Sequence, residues 1–365
     1  MIALLDRAKP IHGMSNINES ILKELGRFKH VYVLNTVPSY AASLFPGKLW
    51  VLMKIFHTIV AYFRLLITLI FSKHKTIYRP INGGSGQIFD VVFFAICKAF
   101  NSHFYIHHHS FNYLNNKSRL FTILNSLLGD KTVHVALGAK MKEKLIELYA
   151  IPENNIVVLS NLAFFPKSVE SSVTKSNRKL VIGHLANLSI DKGLDIFIDV
   201  CKALKEAGVD FHARVAGPFS TEAEKILLDR ALNDLKEIEY VGSVYGHEKQ
   251  KFFQSLDCFV FPSKYQNEAE PLVLYEAAQF GGLLIGSQRG CMKDVIDCFG
   301  GFSFEENKNL AEEIVLSILN AQECNLFANE ARLARINLFN KQKEVTDGTL
   351  SQLINGMMQD EIPEA

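Results

Sequence analysis

Short apolar runs alternate with longer segments of helical periodicity along the chain. Short runs bounded by turn residues predict β-strands, and segments whose apolar positions recur with the helical period predict α-helices. The strand-like runs are IALLD, HVYVLN, TIYRPI, SHFYIH, VHVALG and NIVVLS in the first half and KLVIGHL, FHARVAG, IEYVGS, CFVFPS and GLLIGS in the second. The helical segments include 17–27, 88–100, 117–128, 139–149, 193–207, 221–235, 246–255 and 271–281.

This alternation occurs twice over and predicts an α/β protein with two doubly wound, parallel-sheet, Rossmann-like domains. A chain of 365 residues has the length of two domains. The polar, serine- and lysine-rich stretch 164–179 predicts the seam. The predicted domains are 1–170 and 171–345, with 346–365 forming a helix that packs back toward the first domain. Because open parallel sheets bind ligands at the carboxyl ends of their strands, two sheets facing across a cleft would place the chemistry just after the strands.

Composition narrows the function classes. The net charge of +1 argues against a general nucleic-acid binder. The charge is uneven, however, since residues 1–75 hold ten Lys and Arg against three Asp and Glu, and residues 301–365 hold five against eleven. The first part therefore suits an anionic partner. The six cysteines are scattered, which favours a reduced cytosolic protein, and the opening MIALLDRAKPIHG has no pattern typical of a secretion signal.

The apolar segment 49–71 has the length of a membrane span. Lys54, His57 and Arg64 interrupt it, and a charge at the centre of a bilayer is costly. Their spacing of three and seven places them on one helical face, so the pattern predicts an amphipathic helix rather than a span. Trp50 at its start and the basic residues at both ends fit a helix at a membrane interface. An ordinary core helix with a polar stripe is the alternative.

A first chemistry-bearing segment follows the strand KLVIGHL. The loop carries Asn187 and Lys192, and Gly193 opens the next helix. A lysine and free backbone amides at a helix N-terminus suit a diphosphate. The alternative is a solvated lysine before a glycine turn.

A second segment, NEAEPLVLYE at 267–276, follows the strand CFVFPS. If Pro271 is the first helical residue, Glu276 falls in the second turn, Glu268 lies in the entry loop, and the amides of 272–274 point into the cleft. A carboxylate can accept from the adjacent hydroxyls of a ribose. We therefore assign Glu276 to a ribose and place Glu268 nearer a sugar; an ordinary solvated helix start is the alternative.

The order of Lys192, Glu268 and Glu276 resembles that in the retaining glycosyltransferases of family 4, which have the two-domain GT-B fold. Their E-x7-E motif matches Glu268 to Glu276, followed by AAQFGG. HARVAGP, YVGSVYGHEKQKFFQSLDCFVFPS and NIVVLSN extend the likeness, which is close over 155–296 and looser in the first domain. The resemblance implies a donor site of Gly13, Asn187, Lys192, Gly242, Glu270, Pro271, Leu272, Val273 and Glu276.

Two departures from the family pattern affect this site. Asn187 stands where the family often has an arginine, so phosphate neutralisation rests more on Lys192. Glu270 stands where the family has phenylalanine or a small residue. In the first domain, Gly13 and Met14 occupy the place of two common glycines.

A histidine run, YIHHHSF at 105–111, corresponds to the strand end where the family carries a histidine near the donor sugar. Strand alternation sends His107 and His109 to one side and His108 to the other. We choose His109, at the extreme end, as a catalytic residue together with Glu268; His107 is the runner-up. Metal binding or a polar strand terminus is the alternative, and no further ligand at suitable spacing supports a metal.

The resemblance implies transfer of a sugar, with retention, from a nucleotide-sugar donor to a hydroxyl, without a metal or other cofactor. The basic, apolar first domain suggests a saccharide acceptor carried on a polyprenyl diphosphate in surface polysaccharide (O-antigen or capsule) assembly. The protein is then expected to be cytoplasmic and peripheral on the anionic inner face of the cytoplasmic membrane, with no nucleic-acid partner. A nucleotide-sugar 2-epimerase of the same fold and an inactive membrane-surface scaffold are the alternatives.

Overall fold

A computed structural model of the chain describes residues 1–6, 13–27, 31–38, 48–72, 75–168 and 179–359. Most of the predicted seam therefore lies outside the described residues. The chain divides into two compact units, one formed by Met1–Phe164 with Thr346–Ala365 and the other by Phe165–Val345. Each unit is described by itself below.

The first unit is built on a six-stranded parallel sheet among its described residues. Its strands are β1 (Ile2–Leu5), β2 (Tyr32–Asn35), β3 (Thr76–Ile81), β4 (His103–His108), β5 (Val133–Ala136) and β6 (Ile156–Val158), in the spatial order β2-β1-β3-β4-β5-β6. Its helices are α1 (Gly13–Leu25), α2 (Lys48–Phe71), α3 (Gln87–Ala99), α4 (Arg119–Leu128) and α5 (Ala139–Tyr149). The strand order reverses between β1 and β3, which is the position where such sheets commonly bind ligands.

A buried ion network lies at this reversal point of the first sheet. Arg79 on β3 is 1% exposed, and its guanidinium donates to the carboxylates of Asp6 at 2.9 Å and Asp90 at 2.8 Å. Asp90, on α3, also accepts from the backbone N–H of Asn82 at 3.0 Å. An unpaired buried charge is very costly, so these three side chains are expected to stay together. The network thereby links the end of β1 to β3 and to α3.

Helix α2 covers the apolar segment noted in the sequence. Its inner face, Thr58, Ala61, Leu65 and Leu69, is buried. By length and composition alone, 49–71 is the one described helix that could cross a membrane, and 22% of its apolar 18-residue stretch is buried. The packed inner face means that the helix is part of the first unit's fold.

The polar residues of α2 do not form a common exposed face. Lys54 lies with its Nζ 5.5 Å from the centre of the Phe89 ring, and the Nε2 of His57 lies 3.0 Å from the Asn35 carbonyl oxygen. Only Arg64 of the three predicted polar residues is exposed. The three residues share one helical face, as their spacing in a continuous helix requires, but Lys54 and His57 pack against the protein, so this face is only partly exposed.

The second unit is built on another six-stranded parallel sheet among its described residues. Its strands are β7 (Leu180–Leu185), β8 (Phe211–Ala216), β9 (Ile238–Gly242), β10 (Cys258–Phe261), β11 (Leu283–Ser287) and β12 (Phe302–Phe304), in the order β12-β11-β10-β7-β8-β9. Its helices are α6 (Leu194–Glu206), α7 (Glu222–Asp234), α8 (Gly246–Ser255), α9 (Leu272–Gln279), α10 (Met292–Cys298) and α11 (Leu310–Glu323). A last helix, α12 (Asn329–Gln359), begins in this unit, and its residues from Thr346 onward belong to the first.

The sheet of the second unit lies in the core of that unit. Strand β7 is buried along its whole length, as a central parallel strand is expected to be. The apolar face of α6, including Phe197 and Val200, packs on this sheet from one side. The strand order reverses between β7 and β10, so the loops after these two strands are neighbours. These loops hold Lys192 and Glu268, which the sequence analysis assigned to a phosphate and to the sugar end.

Candidate active site

The loops after β7 and β10 meet closely at the reversal point of the second sheet. Gly193, just before α6, has φ +82°, and a Cβ built there would lie 2.2 Å from the Pro262 carbonyl oxygen. Only glycine permits both this backbone conformation and this approach. The N–H of Lys264 donates to the Asp191 carbonyl oxygen at 2.8 Å and so holds one loop against the other. The lysine-glycine pair in the sequence is therefore a structural feature of this junction.

Lys192 and Glu268 form an ion pair at this junction. The Nζ of Lys192 lies 2.5 Å from Oε2 of Glu268, and the Ser263 hydroxyl donates to the same oxygen at 3.1 Å. The Lys192 and Glu268 side chains are 25% and 11% exposed. The sequence assigned Lys192 to phosphate and Glu268 to the sugar end; the structure places them in direct contact.

Aromatic rings surround the lysine of this pair. The Nζ of Lys192 lies 4.7 Å from the centre of the Tyr265 ring and 6.0 Å from that of Phe261. A cation over ring faces is held in place without a fixed hydrogen-bond partner. Two rings therefore stabilise the Lys192 ammonium in addition to its ion pair with Glu268.

A second carboxylate lies inside α9. Oε1 of Glu276 accepts from the Nζ of Lys249 on α8 at 2.6 Å. Oε2 of Glu276 is buried and has no hydrogen-bond partner among the described residues. A buried carboxylate oxygen without a donor is costly, so this atom is suited to accept a hydroxyl of a ligand. The sequence gave no sign of Lys249, because only the packing of α8 on α9 brings it to Glu276.

The entry to α9 differs slightly from the prediction. Pro271 is the N-cap, with φ −65° and ψ 125°, and the helix begins at Leu272 rather than at Pro271. Leu272 and Val273 occupy the first turn, where backbone N–H groups have no intrahelical acceptor. Glu270 is 6% exposed, and its Oε1 accepts from the Tyr275 hydroxyl at 2.6 Å.

Two other predicted donor residues of the second unit, Asn187 and Gly242, lie in the loop after β7 and at the end of β9. Asn187 is exposed in the loop after β7. Gly242 ends the edge strand β9 with φ +84°, and its carbonyl oxygen accepts from the N–H of Gly217 at 2.9 Å. Strand β8 stands between β9 and β7, so Gly242 is two strands from the junction.

The sequence analysis missed a second lysine at the junction. Lys264 follows β10, and its Nζ lies 2.7 Å from Oδ2 of Asp195 on α6. Two basic side chains, Lys192 and Lys264, therefore flank the start of α6. Lys264 could have been found from the sequence, because it directly follows the strand CFVFPS.

The predicted histidine belongs to the first unit. His109 immediately follows β4, and its ring centre lies 4.1 Å from that of His107. The Nδ1 of His107 lies 2.7 Å from the Tyr78 hydroxyl, whereas Nε2 of His107 and of His109 are buried without a partner among the described residues. Burial lowers the pKa of His109 from 6.5 to about 4, so its ring is neutral near pH 7.

His108 points to the other side of the strand, as alternation predicted. Its Nδ1 lies 2.7 Å from the Tyr113 hydroxyl, and its Nε2 lies 3.1 Å from Nδ1 of His134 on β5. Within the described ranges no group of three or more His, Cys, Asp or Glu side chains is arranged to hold a metal ion. Gly13 is the first residue of α1, and the residues just before it lie outside the described part of the chain.

Comparison with known proteins gives a family match over the second unit. Residues 167–334 match the model of the family described as glycosyl transferases group 1. A putative colanic acid biosynthesis glycosyltransferase, WcaL, from Escherichia coli K12 is 26% identical over 204 residues, which are 53% of this chain and 48% of that protein. The chain thus spans about half the length of this curated relative. These matches support a glycosyltransferase.

Solved structures match both units. A glycosyltransferase from Rickettsia africae superposes with a TM-score of 0.72 at 15% identity over 98% of both chains. Anabaena HepE in complex with UDP superposes with a TM-score of 0.68 at 17% identity, covering 97% of this chain and 99% of that one. The fold is GT-B. The predicted fold class is therefore confirmed, and in this GT-B chain the Lys192–Glu268 junction falls within the family match.

Proposed function

We propose that the protein is a retaining glycosyltransferase, of the family 4 type, that moves a sugar from a nucleotide-sugar donor to an acceptor hydroxyl. The observation that carries the proposal is the Lys192–Glu268 pair at the reversal point of the second sheet, with the partnerless Oε2 of Glu276 nearby in sequence on α9. Reversal points of parallel sheets bind nucleotides in many unrelated proteins.

The donor groups have separate roles in this proposal. Lys192 and the first-turn amides of α6 and α9 bind the diphosphate, because both helices start at the carboxyl ends of the strands. Glu276 accepts a ribose hydroxyl through Oε2 while Lys249 holds Oε1. HepE is described in a complex with UDP, so a uridine diphosphate sugar is the first donor to test.

The reaction needs no covalent intermediate with the protein. The bond between the anomeric carbon and the diphosphate oxygen breaks, and the acceptor hydroxyl oxygen bonds to the same carbon on the same face. The acceptor proton passes to the leaving diphosphate. Lys192 compensates the charge that develops on this diphosphate, which is electrostatic stabilisation of the transition state. Glu268 acts next to the transferred sugar, and no metal or other cofactor is invoked.

The acceptor is proposed from the relative and the first unit. WcaL is named for colanic acid biosynthesis, which supports surface polysaccharide assembly as the process. We propose a saccharide on a polyprenyl diphosphate as the acceptor and a peripheral position on the anionic inner face of the cytoplasmic membrane. The excess of basic residues in 1–75 supports both.

A transfer assay tests the reaction and the histidine assignment together. Purified protein is incubated with radiolabelled UDP, GDP or ADP sugars and a membrane lipid extract, and the anomeric configuration of the product is read by NMR. We expect labelled lipid with retained configuration, and a loss of turnover of about 100-fold or more in His109→Ala, as is usual for a removed site group. Nucleotide binding stays unchanged in this variant.

His107→Ala is the comparison variant, because His107 is the runner-up and its buried ring has its centre 4.1 Å from that of His109. Normal turnover in His109→Ala with an inactive His107→Ala would assign the role to His107. Release of an epimerised donor without transfer would replace the proposal with a nucleotide-sugar 2-epimerase. No product with any donor and intact nucleotide binding would favour a scaffold.

A further inference from the structure

The outer face of α2 is almost entirely apolar and exposed. Leu52, Phe56, Ile59, Phe63, Ile67 and Ile70 recur with helical spacing and are between 45% and 63% exposed. The opposite face of the helix is buried in the first unit. An ordinary surface helix turns its apolar stripe to the core and its polar residues to water. Helix α2 has an apolar face on both sides, and its outer one needs a partner outside the unit.

The neighbouring helix widens this apolar surface. The rings of Tyr62 on α2 and Phe93 on α3 pack edge to face at 4.5 Å, and the Tyr62 hydroxyl donates to the Phe89 carbonyl oxygen at 3.1 Å. Helix α3 also exposes Ile88 by 54% and Val92 by 39%, which precede Phe89 and Phe93 in the sequence. We call the outer apolar residues of α2 together with Ile88 and Val92 the α2–α3 face. Many large apolar side chains exposed on two helices that pack together are typical of an interaction site.

The charges on these two helices have one sign wherever they are exposed. Helix α2 contains no Asp or Glu, and the single acid of α3, Asp90, is buried against Arg79. Arg64 and Lys98 are the exposed charged side chains of the described part of the two helices. Lys98 donates to the Ser126 carbonyl oxygen at 3.1 Å, so Arg64 is the exposed cation on α2 itself, and a second copy of the chain would offer no exposed acid from these two helices to pair with it. A bilayer with anionic headgroups offers both an apolar interior and the complementary charge.

We propose that the α2–α3 face inserts into the interface between the headgroups and the acyl chains of a lipid bilayer and so binds the first unit to it, with α2 lying in the membrane plane. Apolar insertion, rather than the surrounding cations, supplies most of the binding. A spanning orientation is incompatible with the buried inner face of α2, which lipid would have to replace. Membrane binding through the α2–α3 face would bring the protein to the proposed lipid-linked acceptor, so this inference rests on that part of the proposed function. Its test involves no sugar transfer, so the two can fail separately.

The test uses the full chain and vesicles of phosphatidylcholine with or without phosphatidylglycerol. Trp50, the chain's single tryptophan, lies in the first turns of α2 and reports insertion by its fluorescence. We expect flotation with mixed vesicles, a blue shift of Trp50 emission, and a loss of no more than a few-fold in binding at high salt, because insertion of apolar groups is not screened. Arg64→Glu should weaken binding only to vesicles with phosphatidylglycerol.

Phe56→Ser/Phe63→Ser/Ile67→Ser should reduce binding at least tenfold, since these side chains are exposed and their loss leaves the core intact. Ile226→Ser/Leu316→Ser, which alters exposed apolar residues of the second unit, is the matched control and should bind as wild type. Both variants should melt as wild type. Binding that disappears at high salt and survives the triple substitution would overturn the proposal, as would no binding together with a dimer that the triple substitution dissociates.

Discussion

Lys192 is paired in the structure with the carboxylate of Glu268, which the diphosphate of the proposed donor would have to displace. In the structure its ammonium is paired with Glu268, and the rings of Tyr265 and Phe261 hold it in place. A diphosphate would have to take the ammonium from Glu268. Removing the charge of Lys192 should therefore weaken diphosphate binding, whereas removing the charge of Glu268 should not weaken it.

We predict that Lys192→Ala weakens binding of UDP by about tenfold or more and leaves uridine binding unchanged, because charge-assisted hydrogen bonds contribute roughly 1.5–3 kcal/mol. Glu268→Gln should bind UDP at least as tightly as wild type, since it removes a competing anion. Calorimetry with both ligands measures these effects.

The control for this pair is Lys202→Ala, which alters an exposed lysine of α6 paired with Asp199. It should leave both affinities unchanged, as surface ion pairs contribute little. Equal losses of uridine and UDP affinity in Lys192→Ala would place the lysine away from the phosphates. A weakened UDP complex in Glu268→Gln would mean that the carboxylate positions Lys192 rather than competing for it.

At the scale of elements, the junction between β7 and α6 depends on the backbone of one residue. Gly193 combines a positive φ with a carbonyl oxygen of Pro262 at 2.2 Å from any added Cβ. Gly208, after α6, also has a positive φ of 72° but nothing within 4 Å of its Cβ position. Comparing the two glycines separates the backbone cost from the steric clash.

We predict that Gly208→Ala lowers the free energy of unfolding by about 1–2 kcal/mol, the usual cost of a left-handed non-glycine residue. Gly193→Ala should lower it by clearly more, because the two loops must also move apart, and it should impair nucleotide binding as well. Urea denaturation and calorimetry measure these effects. Equal losses in both variants would show that the junction relaxes without strain.

At the scale of the whole molecule, several histidines are buried in their neutral form. Burial lowers the pKa of His109, His134 and His184 from 6.5 to about 4, and lowers the pKa of His107 and His108 well below 6.5. Below pH 6.5 the unfolded chain therefore binds more protons than the folded chain. The free energy of unfolding must fall as the pH decreases from about 6.5 toward 4.

We predict that unfolding in urea becomes easier between pH 7.5 and 5, by about 2 kcal/mol for a single histidine whose pKa is lowered from 6.5 to about 4, such as His134. His134→Gln removes one such group. The free energy of unfolding should then fall less between pH 7.5 and 5 than in wild type, whatever the stability of the variant at pH 7.5. An unchanged dependence in His134→Gln would mean that this ring takes up its proton in the folded state.

Much of the fold could be predicted because its signals are local. The eleven predicted strands all occur, and helices 139–149 and 246–255 have the predicted bounds. Strand β12, helices α10 and α11 and the part of α12 before residue 346 were not predicted. Strand β12 has three residues and α10 has seven, which leaves too few apolar positions to form a pattern. The donor residues could be proposed because loops after parallel strands are readable from the sequence.

The sequence by itself determined which segments are strands and helices, that Gly193 and Lys192 follow a buried strand, and that Glu268 and Glu276 enclose the start of a helix. Only the tertiary structure decided that β7 lies beside β10, and hence that Lys192 meets Glu268 across 76 positions. It likewise decided that Lys249 pairs with Glu276 and that α2 turns an apolar face outward. The physical reason is that periodicity reports which face of an element is apolar, whereas the neighbour of that face is set by the packing of the whole chain.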